Sequence, residues 1–204
     1  MSWNVSSSVG DISITNKAWV TDGVLGKYTA GTIGIYKCPG DSYLSPSQRA
    51  AGWTQRNRSI SMNSGFGVFS DGEAGDSTAQ GVRWGGVSGY VQFLKLTSVP
   101  RPAKSWVFLD EQGDSINDGY FISVPGATYW GDVPGSYHAG GCGFSFADGH
   151  SEMKKWTSDT SKYPIKYVDE GGSKPFDAAG FNDYAWFLER SAFVTSSGKA
   201  MFGY

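Results

Sequence analysis

Only two cysteines, Cys38 and Cys142, and two histidines, His138 and His150, occur among the 204 residues. So few allow no disulfide-dense scaffold and no Cys/His zinc signature at recognised spacing. Charge is also sparse: 18% of residues are charged, with a net charge of −2. No block of Lys or Arg is present, which excludes the basic stripe required by a nucleic-acid partner or an anionic membrane surface. Nothing approaches the ~20 apolar residues that span a bilayer, and the polar start Met1-Ser2-Trp3-Asn4-Val5-Ser6 holds no secretory h-region. Nucleophile elbow, phosphate loop and dinucleotide fingerprint are missing too. No organic cofactor is expected, and Ca²⁺ is the ion its loops could take.

What is plentiful is glycine, at 29 residues, and aromatic side chains, at 15%. With 39% hydrophobic residues this describes one ordinary folded domain, rich in β-structure and long loops. Two distant cysteines permit a single bridge, and whether Cys38 and Cys142 form it stays open at this point.

Along the chain, Trp19–Tyr36 reads as a short helical turn followed by a strand ending at Ile35-Tyr36-Lys37, and Cys38-Pro39-Gly40-Asp41 as a turn. Ser45-Pro46-Ser47-Gln48 combines a capping Ser, Pro at the first helical position and a reciprocal Gln, with Gly52 as terminator. Ser59–Asn63 alternates polar and apolar residues, as a half-buried strand does. Residues 65–89 read as a Gly/Ser/Asp-rich loop, Tyr90–Leu96 and Gly119–Val124 as strands. Trp106–Leu109 reads as a central strand stopping at Asp110-Glu111. Asp183 is expected to cap a helix over Tyr184–Ser191, with Tyr184, Phe187 and Leu188 on its buried stripe.

The sharpest local signal is Asp148-Gly149 between two alternating runs, a two-residue hairpin signature. That register pairs Ala147 with His150, Phe146 with Ser151, Phe144 with Met153 and Cys142 with Lys155. Phe144, Phe146 and Met153 then share one apolar face, and Ser145 and Glu152 the polar one.

Several segments carry a resemblance. His138, nine residues, then Asp148-Gly149 is similar to the H-X9-DG motif of pilin-like (pseudopilin-type) bacterial proteins. Cys38-Pro39-Gly40-Asp41 resembles their CP-x-D segment, and Arg58–Asn63 their SYxMN strand. Val99–Glu111 resembles their I-x-x-P-S-x-x-x-x-F-x-D segment, and Asp183–Arg190 their D-x-x-W-L-x-x-R segment. The resemblance implies an α+β, mostly antiparallel β, pseudopilin-like head over residues 19–192, with 1–18 an unplaced segment and 193–204 a tail. The family's apolar N-terminal helix is absent from residues 1–204. The resemblance further implies an extracytoplasmic location, at the cell surface or secreted, and a structural or binding role in a surface or secretion apparatus. Partners would be other pilin-like subunits or an extracellular glycan. The family reading rests on Phe144 and Met153 lying on one side of the hairpin.

Candidate chemistry is thin. His138 could ligate a metal or act as acid/base near Asp148 or Asp110, but with no second Cys or His at ligand spacing, loop pinning is favoured. Asp148 is explained by turn geometry. Asp110 and Glu111 end a strand where acidic residues often reach solvent. Paired with Asp148, Glu152 or Asp132, they could serve glycoside hydrolysis in an alternative, carbohydrate-active reading. Trp53, Trp84 and Trp130 lie in Gly-rich or polar stretches and, with Tyr137, could form a stacking platform for a sugar or protein. Asp71 and Asp76, and Asp114 and Asp118, lie in oxygen-rich loops of the kind that hold Ca²⁺, and some secretion pseudopilins bind it. Trp106 and Trp186 are assigned to the core.

Overall fold

The computed structural model describes residues 3, 5, 16–67, 82–83, 87–88, 90–169, 173–195 and 199. Helix α1 (Ala18–Thr21) is followed by two 3₁₀ turns, Gly26–Tyr28 and Ile33–Tyr36. The strand expected to end at Tyr36 is therefore helical: Ala30 (φ +50°) and Gly31 (φ +69°) are both left-handed and turn the chain out of an extended path. Helix α2 (Pro46–Ala50) carries the expected capping box, with Gln48 N–H donating to Ser45 Oγ (3.2 Å) and Ser45 N–H to the Gln48 side chain (3.0 Å).

The strands are β1 (Ile60–Asn63), β2 (Val82–Arg83), β3 (Val87–Ser88), β4 (Trp106–Asp110), β5 (Tyr120–Phe121), β6 (Tyr129–Trp130), β7 (Gly141–Phe146), β8 (Ser151–Lys155) and β9 (Lys174–Pro175). Five form one sheet in the order β5-β1-β4-β7-β8, antiparallel except for the β1–β5 pair. The segment Tyr90–Leu96 forms only isolated bridges, through Tyr90 and Phe93. Helix α3 (Ala178–Glu189) covers one face, making an α+β fold with a mostly antiparallel sheet. No helix among the described residues is long and apolar enough to cross a membrane.

The hairpin forms, but one residue out of the expected register. Gly149 N–H bonds to Phe146 O, Phe146 N–H bonds to His150 O, and Gly149 sits at φ +95°. The loop is thus Ala147-Asp148-Gly149, a turn closed by a left-handed glycine, and not a two-residue reversal. Phe144 now faces Glu152 and Gly143 faces Met153. Since strand side chains alternate, the slip sends Met153 to the opposite face from Phe144, where it is 55% exposed. Phe144 and Met153 thus lie on opposite faces, and this support for the family likeness is lost; only the motif-like segments in sequence order still carry it.

Trp106, Leu109, Phe144 and Phe146 meet Phe187, Tyr184 and Leu188 of α3 beneath Trp130 and Trp156. A bulge at Val107 lets both Trp106 and Leu109 face this core. At ~1.5–3 kcal/mol for each large apolar side chain buried, this cluster dominates stability. The α3 cap is Asp177, which accepts from Gly180 N–H (2.7 Å); Asp183, assigned that role from sequence, is buried inside the helix. Strand β1 buries Ser61 and Asn63 and turns Ile60 and Met62 to the outer face. The segments set apart as 1–18 and 193–204 both contribute to the interior. Trp3 is buried, its ring 4.5 Å from the Arg56 guanidinium, and Phe193 and Val194 are buried too.

Candidate functional site

Three chain segments converge at the end of β4. The Cys38-Pro39-Gly40-Asp41 turn is closed by Asp41 N–H to Cys38 O (3.0 Å) and anchored by Cys38 N–H to Ser59 Oγ (2.7 Å). Asp110 is the last residue of β4; Gly143 N–H on β7 donates to its Oδ2 (3.0 Å). His138 precedes β7 in a turn that passes through left-handed Ala139 and Gly140. The result places Cys38 Sγ 3.1 Å and Asp110 Oδ2 3.3 Å from the same nitrogen, His138 Nε2. Gly40 N–H donates to Cys38 Sγ at 3.3 Å. Close approach depends on missing side chains: a Cβ on Gly135 would lie 2.9 Å from Asp110 Cβ, and one on Gly143 3.0 Å from Asp110 Oδ2.

Burial pushes the Asp110 carboxyl above its ordinary value, against the opposing pull of Gly143 N–H and His138. Burial, and then the negative charge of Asp110, push the Cys38 thiol up as well. Cys38 and Cys142 are both free thiols, and Cys142 donates to Asp110 O (3.3 Å), so the bridge left open above is not formed.

Asp110 and Glu111 diverge, as adjacent strand residues must. Glu111 is sealed inside, accepting from Ser61 Oγ and from Ser115 Oγ (2.8 Å); burial, then Asp132, push its carboxyl up to about 8. Asp132 is buried, takes Ile122 N–H at 2.5 Å, and is pushed by burial to about 7. Asp148 lies at the hairpin tip, paired with His150 Nδ1 (2.5 Å). The β4–β7 ladder puts that tip beyond Trp106, at the opposite end of β4 from Asp110, so His138 contacts Asp110 and not the Asp148 turn. Glu152, on the edge strand, approaches His150 Nε2 at 3.5 Å.

Trp130 takes no part in the expected aromatic platform. Trp130 is fully buried against Trp156, Tyr184 and Phe187, because the β6–β9 pairing turns it inward. Trp53 is half-buried, and Tyr137, also half-buried, donates its hydroxyl to Glu111 O (2.8 Å). Trp84, Asp71 and Asp76 lie outside the described residues. Asp114 uses its carboxylate on Lys166 N–H (2.7 Å) and Val168 N–H (3.3 Å), and Asp118 accepts Tyr120 N–H (2.7 Å), so each holds a loop. Trp106 is buried, and Trp186 packs against the core half-buried.

On the outer face of the sheet, a groove of about 710 Å³ runs beside Leu25, Tyr28, Ile35, Phe108 and Met153 and reaches Asp110. Of the Cys38–Asp110–His138 cluster, Asp110 lines this apolar trough. The pairing of Cys38 with His138 was not foreseen, since 100 residues separate them. The available signal was that each of the three residues sits in one of the motif-like segments. Comparison of the chain with models of known families, with curated proteins and with solved structures finds no match.

Proposed function

We propose that the chain is the extracytoplasmic head of a pseudopilin-like surface or secretion-apparatus protein with a structural or binding role. One observation carries this reading: segments quoted for the family likeness, scattered from Cys38 to His138, meet in one constellation. Cys38 of the CP-x-D-like turn contacts Ser59 of the SYxMN-like strand and His138 of the H-X9-DG-like segment, and His138 contacts Asp110 of the F-x-D-like strand. Asn63 of the second segment donates to Trp106 O (2.9 Å) in the fourth.

The apolar groove supports binding over catalysis, since contiguous exposed apolar surface marks interaction sites. Of the carboxylates considered for hydrolysis, Glu111 is sealed and Asp148 lies at the far end of the sheet, which leaves Asp110 and Glu152 as the two that line the groove. The test joins two measurements. Site-specific photo-crosslinking from Ile35 in the native bacterium should recover pilin-like subunits, recognised by their own prepilin-type helices. A polysaccharide panel should show no release of reducing ends. Release that vanishes in Asp110→Asn or Glu111→Gln with folding intact, or crosslinks that recover no pilin-like subunit, would overturn the reading.

A further inference from the structure

We infer that Cys38, Asp110 and His138 form a binding site for a borderline-soft divalent transition metal of the Zn²⁺ class. The inference stands apart from the pilin-like reading. It rests on how the three ligand atoms are disposed: all lie within 4.8 Å of one another, and two of them address one nitrogen. An imidazole nitrogen carries either one proton or one lone pair, so it cannot serve both Cys38 Sγ at 3.1 Å and Asp110 Oδ2 at 3.3 Å in separate good hydrogen bonds.

A Cys–His–carboxylate acid/base relay has another geometry, in which the carboxylate holds the ring nitrogen opposite the one facing the thiol. Here both converge on Nε2. Three donor atoms within 4.8 Å of one another can instead share one cation set between them. With metal–ligand bonds of ~2.0–2.3 Å, neighbouring donors around a tetrahedral ion stand ~3.2–3.6 Å apart, close to the 3.1 and 3.3 Å that separate Cys38 Sγ and Asp110 Oδ2 from His138 Nε2.

Charge and support agree. A thiolate, a carboxylate and a neutral imidazole balance a doubly charged ion. The Gly40 and Gly143 N–H groups already donate to Cys38 Sγ and Asp110 Oδ2, fixing both donor atoms in place. Sulfur and imidazole nitrogen select against Ca²⁺ and Mg²⁺. The His138 side chain is 35% exposed, so solvent reaches the site and a fourth position can take water. On binding, the Cys38 S–H bond breaks, its proton passes to buffer and a metal–sulfur bond forms, with no change of oxidation state.

The experiment is Co²⁺ titration of the reduced, metal-stripped full chain. A sulfur-to-cobalt charge-transfer band and intense visible bands should appear at one equivalent. Zn²⁺ should abolish them, and millimolar Ca²⁺ should not. Cys38→Ser should remove the charge-transfer band, and His138→Gln should weaken binding at least tenfold. His138 is partly exposed, so its variant should keep its circular dichroism spectrum. Absence of the bands with excess Co²⁺, or bands that persist in folded Cys38→Ser, would overturn the assignment.

Discussion

Asp183 separates two physical roles by magnitude. Were it a helix cap, replacement by Ala would cost about 1 kcal/mol. In the fold it is buried within α3 and accepts from Thr157 N–H (2.9 Å), Ser158 N–H (3.0 Å) and Thr157 Oγ1 (3.0 Å), with Lys154 Nζ at 3.2 Å. It therefore clamps the exit of β8 to the helix. Asp183→Ala leaves buried backbone N–H groups and an ammonium without their acceptor, at about 3–5 kcal/mol. In a domain of this size that lowers Tm by roughly 10 °C. Asp177→Ala, which removes the actual cap, should cost about 1 kcal/mol. Urea denaturation of the two variants, compared at equal m-value, measures the difference.

A pH series adds an independent sign. Burial alone would raise the Asp183 carboxyl, but the donors from Ser158 and Thr157, with Lys154, hold it below 3.8. The unfolded chain takes up the proton first, so this stabilisation is present above about pH 4 and is lost as pH falls through the folded value. The acid slope should flatten in Asp183→Asn. Equal losses for Asp183→Ala and Asp177→Ala, or an unchanged acid slope, would refute the clamp.

The hairpin register predicts an asymmetry: Phe144→Ala should cost about 3–5 kcal/mol, whereas Met153→Ser on the outer face should stay within about 0.5 kcal/mol by urea melts. Gly149→Ala forces a left-handed alanine at the loop and should cost about 1 kcal/mol or more, read from Tm. The buried Arg56–Asp41 pair (2.6 Å) predicts a loss of about 3–5 kcal/mol for Arg56→Met, largely recovered when Asp41→Leu is added, as a double-mutant cycle would show.

Local rules wrote much of this molecule. Ser45, Pro46 and Gln48 specify α2 because the capping box is satisfied within four residues, whatever lies around it. The apolar run Trp106–Leu109 specifies a buried strand, and the spacing of Tyr184, Phe187 and Leu188 the inward stripe of α3. Asp148-Gly149 specifies a reversal between two strands. What it cannot specify is the loop length: two- and three-residue loops share the same residues, and only the packing of β7 on β4 and α3 decides that Met153 faces out.

Long-range partners are likewise illegible in one dimension. Asp183 bears the mark of a cap until Thr157 and Ser158 are folded against it. Trp130 sits in a polar, glycine-rich stretch yet is drawn into the core by pairing with a strand more than forty residues away. Cys38, Asp110 and His138 meet because β1, β4 and β7 are neighbours in the sheet. That adjacency is a property of strand order, fixed by the burial of whole faces and not by any local spacing of residues.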